Sequence, residues 1–337
     1  MPKFFTTYLP ESEYHQWNAF VESQPAGNIF HHTGWLMSIY SEQDKKITLR
    51  VIVCKDKEDR IVGGMAFGSK RKYGVQVIEP PLLSQFSGLL LSHRETKYPS
   101  KDLGFRNEML ESIIELLEKD HRIIDLILPP ELYDIRVFNW KGYQNKVRYT
   151  FRGALNEGNQ LEEVFEPSIK RQIKKAKRQN YMIQSGYNDQ LINDFYKLQT
   201  LSLNRQNHDF KFTYQQFHNL IGKLEESPLG LSFYVAYSSD QPIAAQASIS
   251  YKETAYYWLA GGDPEYFNSG INPLLMYYVF DDLHKKGLHY FDFVGANTPG
   301  VADYKANFNF DLTPYYKVDK TIGRFASLML FLKKTFL

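Results

Sequence analysis

Asn272-Pro273 begins an apolar segment that Lys285-Lys286-Gly287 ends, and the run His289-Tyr290-Phe291-Asp292-Phe293-Val294 follows. Asparagine is a good helix N-cap, proline suits the first helical position, and glycine suits the position after a helix. The segment therefore predicts a helix over 273–286, and the next run predicts a strand that leads into Gly295. Tyr304-Lys305-Ala306-Asn307-Phe308 comes after a short loop. A strand with a central carboxylate and a lysine just beyond it would suit an acyl-transfer site.

The composition is that of a globular protein long enough for two domains. Of 337 residues, 43% are hydrophobic and 23% are charged, which separates the chain from disordered and fibrous proteins. The net charge of +2 gives no global signature of nucleic-acid binding, so any basic site must be local. The single cysteine, Cys54, excludes a disulfide framework. Because no apolar run could span a bilayer and Met1–Tyr8 has no signal-peptide pattern, we expect a cytoplasmic protein.

The two halves of the chain repeat one order of predicted elements. In the first half, strands are predicted over 48–54, 60–67, 75–78 and 89–91, followed by a helix around Met109–Leu117 and a strand over 123–128. In the second half, strands over 231–237, 242–251 and 254–260 precede the helix and the strand described above. Both final strands carry a central aspartate, Asp125 and Asp292. We interpret this as a degenerate duplication of one α/β unit, with mixed central sheets flanked by helices and a border near Tyr149–Leu161.

Residues 168–180 predict an amphipathic helix with a strongly cationic face. Its cations have no acid among them, and they are Lys170, Arg171, Lys174, Lys175, Lys177 and Arg178. A solvated charged face is the simple explanation, although such faces commonly pair Glu with Lys. Unneutralised cations suit a diphosphate, a nucleotide or an RNA backbone. We therefore predict that Lys170, Arg171 and Lys174 bind substrate.

Several short motifs together resemble one known family. Arg171-Gln172-Ile173-Lys174-Lys175-Ala176 is similar to its Arg-x-Ile-Arg/Lys-Lys-Ala helix. Gly270–Leu275, the Lys286-Gly287 helix end, Asp292-Phe293-Val294-Gly295 and Tyr304-Lys305 are similar to its later signatures, in the same order. On these residues the chain resembles the FemA/FemX-like tandem-GNAT proteins, which are peptidoglycan bridge-forming aminoacyltransferases and related acyltransferases. The resemblance covers about residues 20–318.

The resemblance implies two GNAT-like domains and transfer of an acyl or aminoacyl group to an amine. We predict an N-terminal domain over 1–150, a C-terminal domain over 151–320 and a terminal amphipathic helix over 321–337. FemX-like members take the amino acid from aminoacyl-tRNA and place it on a peptidoglycan precursor, whereas other members use acyl-CoA. No bound cofactor is expected in either case.

The glycine before the predicted helix is a candidate donor site. GNAT acetyltransferases bind coenzyme A with the loop pattern Arg/Gln-x-x-Gly-x-Gly/Ala, of which this chain keeps Gly270 but has Phe267 and Asn272 at the outer positions. A helix N-terminus behind a glycine is a ready anion site. A capped turn explains the same residues, so Gly270 and Asn272 are predicted either to bind the donor or only to cap the helix.

Lys305 comes just after the loop that leaves the last core strand, and the family motif falls on it. We therefore predict that Lys305 stabilises an oxyanion or a phosphate, with Tyr304 beside it in substrate binding, and an ordinary surface lysine is the alternative. Asp292 could accept a proton or orient the amine. Because Asp125 occupies the matching position in the other half, a carboxylate that supports the fold is the alternative for Asp292. Nothing in the sequence indicates a Ser-His-Asp or Cys-His nucleophile, which favours direct transfer.

Two further residues are candidates for substrate contacts. Arg205 ends a predicted helix, where it could hold an acceptor carboxylate or phosphate, or simply complement the helix end. Trp35 could stack on a sugar or base, although a lone Trp in such a place is commonly a core residue. His31 and His32 have no further ligands at zinc spacing, so we expect no metal site.

We therefore predict an acyltransferase of cell-envelope biosynthesis. An aminoacyl-tRNA-dependent transferase onto a nucleotide- or lipid-linked peptidoglycan precursor is preferred, with tRNA as a partner. An acyl-CoA-dependent N-acyltransferase of surface-polysaccharide or lipid biosynthesis is the first alternative, and an inactive GNAT pair that binds phosphorylated ligands is the second. The basic amphipathic pattern of 321–337 could attach the protein to the inner face of the membrane or pack on the second domain.

Overall fold

The computed structural model describes residues 4–43, 46–72, 74–155, 163–225, 227–323 and 326. These residues form two compact units. The first contains residues 1–148 and 314–337, and the second contains residues 149–313. The chain passes from one unit to the other inside a strand on both occasions. Among the described helices, none has the length and apolarity to cross a membrane.

The first unit is a mixed sheet packed against helices. Its strands are β1 (Phe5–Leu9), β2 (Thr48–Lys55), β3 (Ile61–Lys72), β4 (Val75–Ile78), β5 (Gly88–Leu91), β6 (Ile123–Ile127) and β13 (Asp311–Thr321). Its helices are α1 (Tyr14–Ser23), α2 (Thr33–Ser41), α3 (Pro99–Asp120) and α4 (Arg136–Trp140), with short 3-10 helices at Glu11–Glu13 and Ile29–His31. The strand order is β1-β2-β3-β4-β6-β13, with β5 paired to β3. Met109, Ile113 and Leu117 of α3 are buried in one core cluster with Ile52 and Phe67 of the sheet.

The second unit repeats this architecture. Its strands are β7 (Gln144–Ala154, entering from the first unit), β8 (Tyr181–Gly186), β9 (Gly230–Ser238), β10 (Gln241–Tyr251), β11 (Thr254–Gly262) and β12 (Tyr290–Asp292). Its helices are α5 (Pro167–Ala176), α6 (Asp189–Arg205), α7 (Tyr214–Glu225), α8 (Ile271–Lys285) and α9 (Pro299–Ala306), with a 3-10 helix at Pro264–Ser269. The strand order is β8-β9-β10-β11-β12-β7.

The pairing directions show the duplication directly. Counted in sheet order, the first four strands of each unit pair antiparallel. The next pair is parallel (β4 with β6, and β11 with β12), and the last pair is antiparallel (β6 with β13, and β12 with β7). Asp125 is the third residue of β6, and Asp292 is the third residue of β12, the strand at the same place in the other sheet. The predicted mixed α/β fold is confirmed.

The last strand of each sheet comes from a different place in the chain. The second unit takes β7, which precedes its other strands, whereas the first unit takes β13, which follows the whole second unit. Residues 317–321 therefore pair with β6, although the sequence-based division placed residues up to 320 in the C-terminal domain. Of the predicted terminal helix over 321–337, only residues 321–323 and 326 are described, and Thr321 is the last residue of β13.

Candidate active site of the second unit

A strained turn follows β12, where the predicted strand would have continued to Val294. Val294 has φ +53° and Gly295 has φ +100°, so both lie in the left-handed region. Glycine tolerates this conformation, but a β-branched residue such as valine does not adopt it without strain. Such strain persists only where the surroundings hold the backbone in place, and it concentrates at functional sites.

Asp292 and Thr150 hold the turn from the sheet side. The Thr150 hydroxyl donates to Asp292 Oδ1 over 2.6 Å, and the Val294 N–H donates to the same oxygen over 2.8 Å. The Gly295 N–H donates to Thr150 Oγ1 over 3.0 Å. Arg152, which is paired with Asp292 across β7 and β12, places Nε 3.1 Å from the other carboxylate oxygen. Because Asp292 is completely buried, its geometry supports the turn and gives no direct access to a substrate.

Lys305 holds the same turn from the side of α9. Its Nζ donates to the carbonyl oxygens of Phe293 and Gly295, over 2.6 and 2.7 Å. The side chain is 5% exposed, and Nζ lies 4.9 Å from the centroid of the Tyr257 ring. Burial lowers the pKa of Lys305 to about 8, and the Asp292 carboxylate opposes that fall. An ammonium has three donors, so one N–H remains beyond the two carbonyl bonds.

Two tyrosines adjoin this lysine. Tyr257 lies under Nζ, and Tyr304 packs edge-to-face on Phe308 with ring centroids 5.2 Å apart. Burial raises the pKa of both phenols, so both are neutral and able to donate a hydrogen bond at physiological pH. Tyr257 was not singled out from the sequence, and neither were Thr150 and Arg152.

The donor loop, defined as Pro264–Gly270, connects β11 to α8. Gly270 has φ +87° and is the N-cap of a helix that begins at Ile271. The prediction that Asn272 caps the helix, with Pro273 as its first residue, is therefore wrong by two positions. Proline is tolerated here because the first four N–H groups of a helix have no partner within the helix. At the other end Gly287, with φ +82°, follows the helix as predicted.

Gly270 is required by a close approach of α5. A Cβ built at position 270 would lie 2.3 Å from the carbonyl oxygen of Gln172. Lys175 of the same helix donates from Nζ to the carbonyl oxygen of Asn268 over 2.8 Å. The backbone of the basic helix thus packs directly on the start of α8, and Gln172 and Lys175, less than one turn apart, contact the donor loop.

Cations border the donor loop on two sides. On the side of α6, the guanidinium of Arg205 lies 4.9 Å from the ring centroid of Phe267. On the side of α5, Arg171 and Lys174 are exposed, and no carboxylate in the described ranges forms an ion pair with either. Lys170 is only half-buried and donates to the carbonyl oxygen of Glu163 over 2.8 Å. Of the predicted residues, the structure therefore brings Gly270 and Arg205 to the donor loop. The basic helix contacts the loop through Gln172 and Lys175, and among the described contacts none joins Lys170, Arg171 or Lys174 to it.

Trp35 lies elsewhere, in the core of the first unit. It is completely buried, its Nε1 donates to Ser84 Oγ over 2.7 Å, and its ring contacts Phe30 edge-to-face. Its surroundings are those of a core residue, and they leave no face for stacking on a sugar or base. His31 and His32 are also buried and hydrogen-bonded to the backbone. In the part of the chain that the structure describes, no cluster of His, Cys, Asp and Glu could hold a metal ion.

Comparisons with known proteins define the class. Residues 165–306 match the family model described as an acetyltransferase (GNAT) domain, a stretch that includes the donor loop and Lys305. No curated protein matches the chain. The match gives the chain a GNAT-type acyltransferase domain over residues 165–306, which confirms the predicted enzyme class, and the first unit repeats the strand order of that domain.

Solved structures identify the particular arrangement. The chain is similar to FemX, with a TM-score of 0.70 and 12% identity over 97% of this chain and 99% of that one. It is also similar to L-PGS from Bacillus licheniformis (TM-score 0.56, 14% identity, 96% of both chains). A tandem GNAT protein of the clavulanic acid biosynthesis pathway gives a TM-score of 0.56 and 12% identity over 95% of this chain and 99% of that one. The predicted FemX-like tandem-GNAT architecture is thus confirmed.

Proposed function

We propose that this acyltransferase moves an amino acid from aminoacyl-tRNA to an amine of a nucleotide- or lipid-linked peptidoglycan precursor. The observation that carries the choice of donor is the cationic border of the donor loop. Lys175 and Arg205 contact the loop from two helices, and Arg171 and Lys174 continue the cationic surface along α5. Exposed cations along one helix suit a polyphosphate backbone, and such binding would weaken with salt.

The reaction would proceed by direct transfer. The neutral acceptor amine attacks the ester carbonyl carbon, the C–N bond forms, and the carbonyl oxygen becomes an oxyanion. The ester C–O bond then breaks, and the ribose oxygen of the tRNA leaves as a hydroxyl group that carries the proton lost by the amine. We assign the remaining N–H of Lys305 and the phenol of Tyr257 to the oxyanion, because both are donors at the end of β12. Asp292 and Thr150 are positioning residues that fix the turn carrying these contacts.

The packing of α5 supports tRNA over coenzyme A. A pyrophosphate cradle needs open N–H groups at the helix start. Here the Gln172 carbonyl oxygen packs against Gly270, and the Ile271 N–H donates to Ser269 Oγ. The GNAT domain match over residues 165–306 favours the second candidate, an acyl-CoA-dependent N-acyltransferase in surface-polysaccharide or lipid biosynthesis.

We propose a peptidoglycan peptide as the acceptor, on the basis of the similarity in fold to FemX. The similarity to L-PGS keeps a lipid-linked acceptor within the proposal. Such an acceptor would be met at the inner face of the membrane, so we propose a cytoplasmic protein that contacts this face. The third candidate, an inactive pair of units that binds phosphorylated ligands, shares the cationic surface but requires no turnover.

A donor and acceptor screen tests the proposal. The purified chain is incubated with charged tRNA or acyl-CoAs and with nucleotide-linked muropeptides, and products are identified by mass spectrometry. We expect an aminoacylated muropeptide from charged tRNA and its loss in Lys305→Met. Turnover with acyl-CoA, or thermal stabilisation by micromolar coenzyme A, would establish the second candidate instead. Binding without turnover for every donor, unchanged by Lys305→Met, would establish the inactive pair.

A further inference from the structure

The first unit contains a strongly cationic cavity. Its volume is about 460 Å³, and it lies at the end of the sheet formed by β2, β3 and β4. Its lining combines basic and neutral polar side chains and consists of Lys46, Thr48, Arg50, Ser69, Lys70, Arg71, Lys72 and Gln76. A cavity of this size suits a small ligand.

The charge of this cavity is only partly neutralised. Lys70 and Lys72 both form ion pairs with Glu79, the latter over 2.5 Å. Within the described ranges, no carboxylate forms an ion pair with Lys46, Arg50 or Arg71. These three cations line one cavity, and like charges that are close together repel, so the arrangement favours a negative ligand.

The strand register explains how the polar groups converge. Thr48 lies opposite Ser69 in the β2–β3 pair, and Arg71 lies opposite Gln76 in the β3–β4 pair, so these side chains share one face of the sheet. Arg50 is held on the same face by its position over the Tyr8 ring, with 5.3 Å from guanidinium carbon to centroid. Arg50 therefore has a defined position before any ligand arrives, and the strand register places Arg71 on the same face of the sheet.

The polar floor of the cavity is equally fixed. Ser69 is 4% exposed, and its Oγ lies 2.9 Å from Nε2 of His121. Nδ1 of His121 lies 3.0 Å from the Leu117 carbonyl oxygen, which only a protonated Nδ1 can satisfy. Burial lowers the pKa of His121, which favours the neutral imidazole. The positive charge thus belongs to the lysines and arginines.

The second unit provides an internal comparison. A cavity of about 450 Å³ lies at the corresponding end of β9 and β10, where Gly230 pairs with Ser250 as Thr48 pairs with Ser69. Its lining includes Ser232 and Ser250, with Lys286 as its cation. That lysine pairs with Asp282 over 2.7 Å. The duplicated fold therefore produces the cavity in both units, whereas the excess charge is specific to the first.

We propose that the cavity of the first unit binds a phosphate or diphosphate group of a ligand. A guanidinium group can form two parallel hydrogen bonds to the oxygens of one phosphate. Arg50 and Arg71 supply two guanidinium groups beside Lys46. This binding site does not depend on the proposed transfer reaction and would persist if the donor or acceptor were different.

Calorimetry with inorganic pyrophosphate tests the site in the full chain. We expect binding that the double variant Arg50→Gln/Arg71→Gln weakens at least tenfold. The matched control is Arg60→Gln/Arg136→Gln, which removes the same charge from the same unit at exposed arginines that pair with Asp56 and Asp134. Equal weakening in both variants, or no binding to the wild type, would overturn the proposal.

Two further measurements complete the test. Circular dichroism and the melting temperature establish that the double variant is folded, and the single variant Lys46→Gln, at an exposed position, is expected to weaken binding less than the double variant. UDP and phosphatidylglycerol vesicles then separate a soluble ligand from a lipid headgroup. Preference for either, lost in the double variant, supports the site, whereas retention of both by the double variant contradicts it.

Discussion

Gly270 and Gln172 meet backbone to backbone, because a Cβ at position 270 would lie 2.3 Å from the Gln172 carbonyl oxygen. This contact fixes the basic helix α5 on the first turn of α8. The glycine therefore has a steric requirement as well as a conformational one, and the two can be measured separately.

Gly270→Ala should destabilise the protein more than Gly287→Ala. Both glycines have left-handed backbones, with φ +87° and +82°, so each alanine would cost about 1–2 kcal/mol for that conformation. Only position 270 has a backbone atom in the way, since nothing lies within 4 Å of a Cβ at position 287. Overpacking adds about 1–3 kcal/mol. Urea unfolding of both variants measures the difference in the free energy of unfolding. Equal losses of stability would show that α5 can move away from position 270 without an energetic penalty.

Asp292→Asn should cost far more stability than Asp125→Asn, although the two aspartates occupy equivalent places in the duplicated unit. Asp292 is completely buried and forms hydrogen bonds and an ion pair, and removing one partner of a buried pair costs about 3–5 kcal/mol. Asp125 is partly exposed, pairs with Lys317, and has a pKa raised by burial. Its charged form is disfavoured, so its neutral analogue should cost little. Thermal unfolding at pH 7 compares them, and similar losses would contradict the assignment.

Lys305 should make stability depend on pH in the alkaline range. Its pKa in the folded state is about 8, below the usual 10.5, so the unfolded chain binds more protons between these values. Stability of the wild type should therefore rise with pH across this window relative to Lys305→Met. Urea unfolding at pH 7.5 and 9.5 measures this change. Lys285→Met, at an exposed lysine paired with Asp281, is the control and should not reproduce it. A difference from Lys305→Met that does not vary with pH would contradict the prediction.

Neutralising the exposed face of α5 should weaken tRNA binding and its dependence on salt. In Arg171→Gln/Lys174→Gln, the slope of log K against log salt should fall by about 0.7–0.9 for each lost phosphate contact. Filter binding at several salt concentrations measures the slope. Lys223→Gln/Lys285→Gln removes two exposed cations from other helices of the same unit and should leave the slope unchanged. Equal slopes in the two variants would exclude α5 as the contact.

The repeated fold was predictable from sequence because its strands and helices have distinct apolar periodicities, and because Gly287 marks the end of α8. The candidate site was predictable only in part. Lys305 and the basic helix follow from local motifs, whereas the hydrogen bond from Thr150 to Asp292 joins residues 142 positions apart and has no local signal. Trp35 is a predicted site residue that the structure places in the core. Its contacts with Ser84 and Phe30 depend on the folded chain and could not be predicted from the local sequence.

The order of strands also sets an order of assembly during synthesis. The second unit is one continuous segment, but the first lacks its sixth strand until residues 314–321 have emerged. A ribosome therefore releases every residue of the second unit before the first sheet can be finished. Until then β6 has an open edge, and open strand edges invite incorrect pairing. A chain truncated before residue 314 would keep the GNAT domain match intact and still leave the other unit incomplete.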